Sequence, residues 1–353
     1  MDRYQQEINR VVALPLPWEK LSGKTIMLSG ATGMIGKCMI DVFMLYNETV
    51  ARPGSEVCVI ALSRNEAKAR ERFASYWDKD FFSYLSCDVN KEIPECGNVD
   101  YIIHAASNTH PIQYSEDSIG TITSNIIGTK NLLDYAVSHG TEQFCFVSSV
   151  EVYGENRGDV EKFDEKYLGY IDCNTLRAGY PESKRLGETL CNAYKQTYGL
   201  DYTIPRLSRI YGPTMLLSDT KAISQFIKKA VAGEDIVLKS DGTQKYSYTF
   251  VTDAVSGILY TILCGKTGEA YNVADAESDV MLKDLAGYLA DVAGVKVVFE
   301  LPDEKERRGY STATKAMLDA SKLEALGWKS QVHMAEGLKC TVEAIRRICH
   351  GIT

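Results

Sequence analysis

One stretch near the N-terminus constrains the fold of this chain more than any other. "TIMLSG" (25–30) reads as a buried strand and runs without a spacer into "GATGMIG", which sets Gly30, Gly33 and Gly36 at a GxxGxxG spacing and opens a helical pattern. A turn this tight needs glycine where φ is positive, where backbone approaches a phosphate and where helix packs on strand. The free N–H groups and dipole of the helix start then favour an anion. Thr32, Met34 and Ile35 complete the turn and would lie along a bound pyrophosphate.

The same rhythm recurs downstream. "EVCVIALS", "VDYIIHAA", "QFCFVSSV" and "YTIPRLSRIYG" read as strands, while 34–50, 64–79, 119–139 and 179–199 carry helical spacing. Such alternation predicts an α/β fold, a Rossmann-type doubly wound parallel sheet. Past about residue 213 it loosens into helix-like segments ("AISQFIKKAVAG", "MLKDLAGYLADVAG", "STATKAMLDASKLEALGW") mixed with short strands, which predicts a smaller mixed α/β C-terminal substrate domain. The expected division is an arm at 1–22, an NAD(P)-binding domain at 23–212 and a mainly substrate-binding part at 213–353, from which segments could return to the first sheet. Tyr76, Trp77, Phe81 and Phe82 read as helix packing, and His104 as a packed residue near the cofactor.

Composition narrows the function. Thirty-nine Lys and Arg against 47 Asp and Glu give a net charge of −8, which disfavours a broad nucleic-acid surface, so any anion must be gripped locally. Ten scattered cysteines with no CxxC pair read as reduced thiols, and no His/Cys constellation suggests a metal. The longest apolar runs fall far short of the ~20 residues a membrane span needs. With no targeting segment visible in "MDRYQQEINR", a cytoplasmic location is expected.

Two further clusters carry chemistry. The second strand ends in Ser63 and Arg64, where an acidic residue would select NAD by accepting from both ribose hydroxyls; Arg64 either pairs with a 2′-phosphate, favouring NADP, or stacks on adenine or is solvated. About 30 residues after the strand-end "FVSSVEVYG" comes "YPESK", whose Tyr180 and Lys184 share one helix face at i, i+4. A phenol of pKa ~10 becomes a base near neutrality only when a cation stabilises the phenolate, and Lys184 is placed to do so.

"GATGMIG", "HAAS" (104–107), "NIIGT" (125–129), "SSVEVYG" and "YPESK" occur in the order and spacing of the extended short-chain dehydrogenase/reductase superfamily. The chain resembles its NAD-dependent nucleotide-sugar epimerase/dehydratase family from about residue 23 to 345, and is closest in motifs to the UDP-glucuronate decarboxylase branch through Glu151, "YPESKR" with Glu188, and "YGPTMLLSDTKAISQFI". The resemblance implies a tightly bound NAD or NADP held by the glycine turn, Ser63, Arg64, Asp88, Val89, Ala105, Ala106, Ser107, Asn125, Tyr180 and Lys184. It implies catalysis by Ser149 on the substrate oxygen, Tyr180 as base and Lys184 as its tuner, with Glu151 near the ring. A homodimer through the two helices flanking the sheet is also implied.

The implied activity is NAD(P)-dependent modification of a nucleotide-diphosphate sugar through a 4-keto intermediate, by an epimerase or a UDP-glucuronate-decarboxylase-like enzyme. A 4,6-dehydratase is disfavoured because Val150 stands where that subfamily carries a proton-donating Asp. An NADPH-dependent 4-keto-sugar reductase and a non-catalytic cofactor-binding protein are the alternatives. Two positions depart from the family: Tyr246 replaces an Arg that commonly holds substrate, and Arg209 replaces an Asn before "YGP". The expected substrate contacts are therefore Ser149, Tyr211, Lys221 and Tyr246, with Arg209, Lys245 and Arg308 gripping the diphosphate. The blander readings are that Glu151 braces a loop, Arg209 forms an internal salt bridge, and Lys221 and Arg308 are solvated.

Overall fold

The fold was read from a computed structural model, in which residues 2–108, 117–300 and 314–349 are described. The elements in chain order begin with α1 (Arg3–Val12), β1 (Thr25–Ser29), α2 (Met34–Thr49), β2 (Cys58–Ser63), α3 (Glu66–Arg72), β3 (Phe82–Ser86), β4 (Tyr101–His104) and α4 (Ser118–Ser138). There follow β5 (Gln143–Phe146), β6 (Ser148–Ser149), α5 (Gly179–Tyr198), β7 (Asp201–Leu207), β8 (Arg209–Tyr211), α6 (Ala222–Ala232), β9 (Ile236–Leu238), β10 (Lys245–Phe250), α7 (Val251–Leu263) and β11 (Glu269–Val273). The chain continues through β12 (Asp279–Met281), α8 (Leu282–Ala293), β13 (Val297–Phe299), β14 (Lys315–Ala316), α9 (Ser321–Glu324) and α10 (Met334–Cys349).

The main sheet runs β11-β7-β5-β4-β1-β2-β3, with β6 beside β7, and each of its pairings is parallel. That is the doubly wound order, in which the chain reverses direction across the sheet between β1 and β4 and leaves a crevice at their carboxyl ends. The four central strands are near-continuous apolar runs because helices cover both faces. A second sheet, β12-β10-β14 with β8 on β10, and the small pair β13-β9 lie on the substrate side.

Four elements differ from the sequence reading. β3 was not foreseen because only Phe82 of its five residues is buried, as suits an edge strand with no apolar run. Residues 3–12 of the arm are a helix, capped by Asp2 accepting from Gln5 N (2.7 Å), whose Ile8, Val11 and Val12 pack on α2, α7 and α10. Of the helix expected over 311–328, the described residues 314–328 do not form one: Ala316, Met317 and Leu318 are buried in succession, the mark of extended chain, and among the described residues of the stretch only Ser321–Glu324 is helical. The aromatic cluster centres on strand residue Phe82, with Phe73, Tyr76 and Trp77 at 5.4, 6.4 and 6.0 Å, rather than packing one helix.

α7 is buried along all thirteen residues, and Asp253 is its one carboxylate. Its Oδ2 accepts from Gln331 N and Val332 N (2.9 Å each), yet burial dominates and lifts its pKa to about 7. The unfolded carboxyl ionises near 4, so the folded chain holds one extra proton between pH 4 and 7, and Asp253's contribution to stability falls as pH rises through that window. Asp253→Asn keeps an acceptor oxygen and removes the titration. Its unfolding free energy relative to the parent, from urea melts, should rise by on the order of 2–4 kcal/mol between pH 4 and 8.

Candidate active site at the carboxyl ends of the sheet

A cleft of about 1450 Å³ opens where β1 and β4 diverge. Its floor is the glycine turn. Gly30 has φ +74°, and a Cβ there would stand 2.7 Å from the backbone of Ala105 and Ala106; one on Gly36 would stand 2.5 Å from Gly30 O. Gly33 is the N-cap of α2 and gives no side-chain cap, so the first-turn N–H groups are left for an acceptor in the cleft that Thr32, Met34, Ile35 and Gly36 line. This cradle fits a dinucleotide pyrophosphate. Gly36→Ala should abolish dinucleotide binding by calorimetry, because the clash is with backbone that cannot move aside.

The outer end of the cleft is walled by Ser63, Arg64, Asp88 and Val89, joined by Asn65 and Lys68 from the start of α3, which the sequence reading missed. Ser63 Oγ lies 3.2 Å from Tyr84 Oη, and Asn65 Oδ1 accepts from Lys68 N (2.9 Å). No carboxylate follows β2 directly. Ala105, Ala106 and Ser107 line the wall, but Asn125 does not: it is buried behind it, accepting from Ser107 Oγ (2.7 Å) and donating to Ser183 Oγ (2.9 Å). His104 is buried between Ser29 (2.7 Å) and Thr129 (3.1 Å), and burial pushes its pKa down to about 3, so it is a neutral structural residue.

Ser149, at the end of β6, meets Tyr180 and Lys184 of α5 at the centre of the cleft. Burial drives the Tyr180 phenol above its ordinary value; hydrogen bonding with Ser149 and Ser107 pulls it down and the charge of Glu151 pushes it up. Burial lowers Lys184 to about 8. The Lys184 ammonium donates to Val147 O (2.8 Å) and sits 4.7 Å over the Phe146 ring.

Behind these residues lies a half-buried ion pair. Glu188, one turn past Lys184, accepts from Arg206 Nε (3.0 Å) and Nη2 (2.6 Å) and from Ser148 Oγ (2.6 Å), and Arg206 Nη1 donates to Tyr153 Oη (3.0 Å) and Glu165 O (2.9 Å). The pair bolts β6 to α5 next to Ser149. Arg206 carried no sequence signal because its role depends on β7 lying beside β6. Glu188→Ala leaves a half-buried guanidinium without its carboxylate and should cost about 1–3 kcal/mol in chemical denaturation, with Glu188→Gln costing less.

The substrate-side residues divide. Arg209, Lys221 and Tyr246 line the cleft, and Lys221 Nζ pairs with Asp219 at 3.3 Å. Lys245 does not, because alternation along β10 sends Tyr246 and Tyr248 inward and their neighbour to the other face. Tyr211 is also outside it, 2% exposed with its ring edge-on to Phe250 at 5.7 Å. Arg308 lies outside the described residues. Missed by the sequence reading were Tyr248, Arg177, Gln244 and Lys239. Among the described residues no His/Cys/Asp/Glu group could hold a metal, and no helix is long and apolar enough to cross a membrane.

The profile described as "NAD dependent epimerase/dehydratase family" matches residues 26–274. UDP-glucuronic acid decarboxylase 1 of Xenopus tropicalis is 30% identical over 92% of this chain and 72% of that protein. A dTDP-glucose 4,6-dehydratase from Streptomyces venezuelae, solved with NAD, superposes with a TM-score of 0.77 at 26% identity, covering 92% of this chain and 97% of that one. A UDP-glucuronic acid 4-epimerase from Bacillus cereus shares the fold at 19% identity, TM-score 0.76, covering 92% and 99%.

Proposed function

The chain belongs to the NAD-dependent epimerase/dehydratase family, and from that premise we propose that it is an enzyme converting a nucleotide-diphosphate sugar through a 4-keto intermediate, as an epimerase or a UDP-glucuronate-decarboxylase-like enzyme. The observation that carries the reading is the convergence of Ser149, Tyr180 and Lys184 beside the glycine cradle. Residues 23–212 would mainly hold the dinucleotide and 213–353 mainly the sugar nucleotide.

In this reading Ser149 holds the sugar 4-oxygen and Tyr180 removes the 4-hydroxyl proton. Lys184, four residues on along the same helix, is placed for the nicotinamide ribose. The nicotinamide, when bound in this cleft, would supply reversible hydride acceptance, a cycle that consumes no external reductant. Glu151, whose N–H donates to Ser149 Oγ (3.3 Å), stands nearest the ring. Val150, next to Ser149 in the cleft wall, has no proton to give a departing 6-hydroxyl, which argues against dehydration. Tyr180→Phe should lower kcat by about 10²–10⁴ with a nucleotide-sugar panel read by mass spectrometry, while the fold and dinucleotide binding persist. Product that forms only with added NAD(P)H would overturn the internal cycle.

The second reading, an NADPH-dependent 4-keto-sugar reductase, is favoured by Ser63, Arg64 and Lys68 lining a cofactor end without a carboxylate after β2. It requires stoichiometric loss of 340 nm absorbance with a 4-keto sugar, and Arg64→Ala weakening NADP binding more than NAD binding. A homodimer through α4 and α5 is supported by Ile119, Ile127 and Leu186, exposed at 75, 42 and 41% on those helices, and light scattering tests it. A cytoplasmic location accords with the scattered free thiols.

A further inference from the structure

The cleft contains a cation whose arrangement the proposed cycle does not explain. β8 pairs with β10 in parallel, Arg209 opposite Tyr248, and the Arg209 guanidinium lies over the ring of Tyr246 at 3.5 Å. One face is thus covered by an aromatic surface, and the donors lie around the rim. Nη2 faces Glu151 Oε1 at 3.8 Å, an ion pair beyond hydrogen-bond distance. Nη1 is buried and meets no acceptor among the described residues. A guanidinium fixed in orientation, with a desolvated N–H edge uncommitted, is built to receive a planar anion.

Its place tells which anion. Glu151 is among the charges acting on the Tyr180 phenol and donates its N–H to Ser149 Oγ, so the Arg209–Glu151 pair stands at the reacting ring. Lys221, at the N-cap of α6, and Lys239 line other parts of the cleft and are left to the diphosphate. Arg177, three residues before Tyr180, also lines the cleft, but among the described residues no ring lies beneath it as Tyr246 lies beneath Arg209.

We propose that Arg209 is the residue that selects for a carboxylate on the sugar ring, and that Glu151 occupies the guanidinium as an internal stand-in which a uronosyl substrate displaces. The inference rests on the nucleotide-sugar reading of this cleft and adds the charge of the sugar to it. It reverses the expectation that Arg209 grips the diphosphate, and it gives opposite signs to the two partners: losing the cation weakens an acidic sugar, whereas losing the competing carboxylate tightens it.

Calorimetric titration of the full-length, cofactor-loaded protein with UDP-glucuronate and UDP-glucose tests this, with Tyr180→Phe as background so that binding is read without turnover. Arg209→Gln should weaken UDP-glucuronate about ten- to a hundredfold and UDP-glucose by less than about threefold. Arg209→Lys should recover part of the loss, and Glu151→Gln should tighten UDP-glucuronate while leaving UDP-glucose unchanged. Equal losses for both sugars in Arg209→Gln, or no loss, would overturn the proposal. UDP-glucose binding without UDP-glucuronate binding overturns the proposal alone; failure of both to bind overturns the nucleotide-sugar reading with it.

Discussion

Two stretches of backbone touch at Gly30, and the rest of the site depends on that contact. The turn after β1 passes so close to the end of β4 that a single methyl group on Gly30 would meet the carbonyl of Ala105 at 2.7 Å. Ser29 and His104, paired in register just before the turn, lock the approach: Ser29 Oγ bonds the imidazole and accepts from Ala106 N (3.3 Å). Because β1 and β4 stand at the point where the winding reverses, the gap above this contact is the crevice, and the helix beginning at Met34 aims its N–H groups into it. Cofactor position, and with it the place where a reacting sugar carbon can lie, is set by main-chain geometry rather than by charged side chains.

Burial by itself works against the reactive pair. It moves Tyr180 and Lys184 in opposite directions, the phenol up and the ammonium down to about 8, so both are driven toward their neutral forms. Glu188 opposes this for Lys184 by favouring the ammonium, and the same carboxylate holds Arg206 and the Ser148 hydroxyl. One half-buried anion therefore steadies the charge on the lysine and fixes the strand that ends in Ser149. Such a network is stable only when complete, which is why its members come from β6, α5 and β7, elements brought together by the central sheet.

What could be read from the sequence was local. The glycine turn and the Tyr180/Lys184 pair announce themselves because their spacing within one turn or one helix face is fixed by backbone geometry. Lys245 was misplaced although alternation in a strand already forbids it from sharing a face with Tyr246. Asn125 was assigned to the cleft wall when it supports the wall from behind, a distinction of a few ångströms that no spacing encodes. Tyr211 sits in the same three-residue strand as Arg209 yet is consumed by the core against Phe250, and Arg209's partners lie on other elements.

The acidic balance of the chain finds its meaning in that last group. With a net charge of −8 the surface does not gather anions, so selectivity has to come from a few cations inside the cleft. Three of those cations are already engaged: Lys184 with a carbonyl, Lys221 with Asp219, Arg209 with Glu151. An incoming anion gains only the difference between its own attraction and that of the resident partner. Engagement of this kind lowers affinity for any anion of poor geometry and leaves it for one that fits the planar fork, so internal ion pairing acts here as a filter. Strand pairing makes the filter possible, because β8 beside β10 is what lays the guanidinium on the tyrosine, with Nη2 facing Glu151.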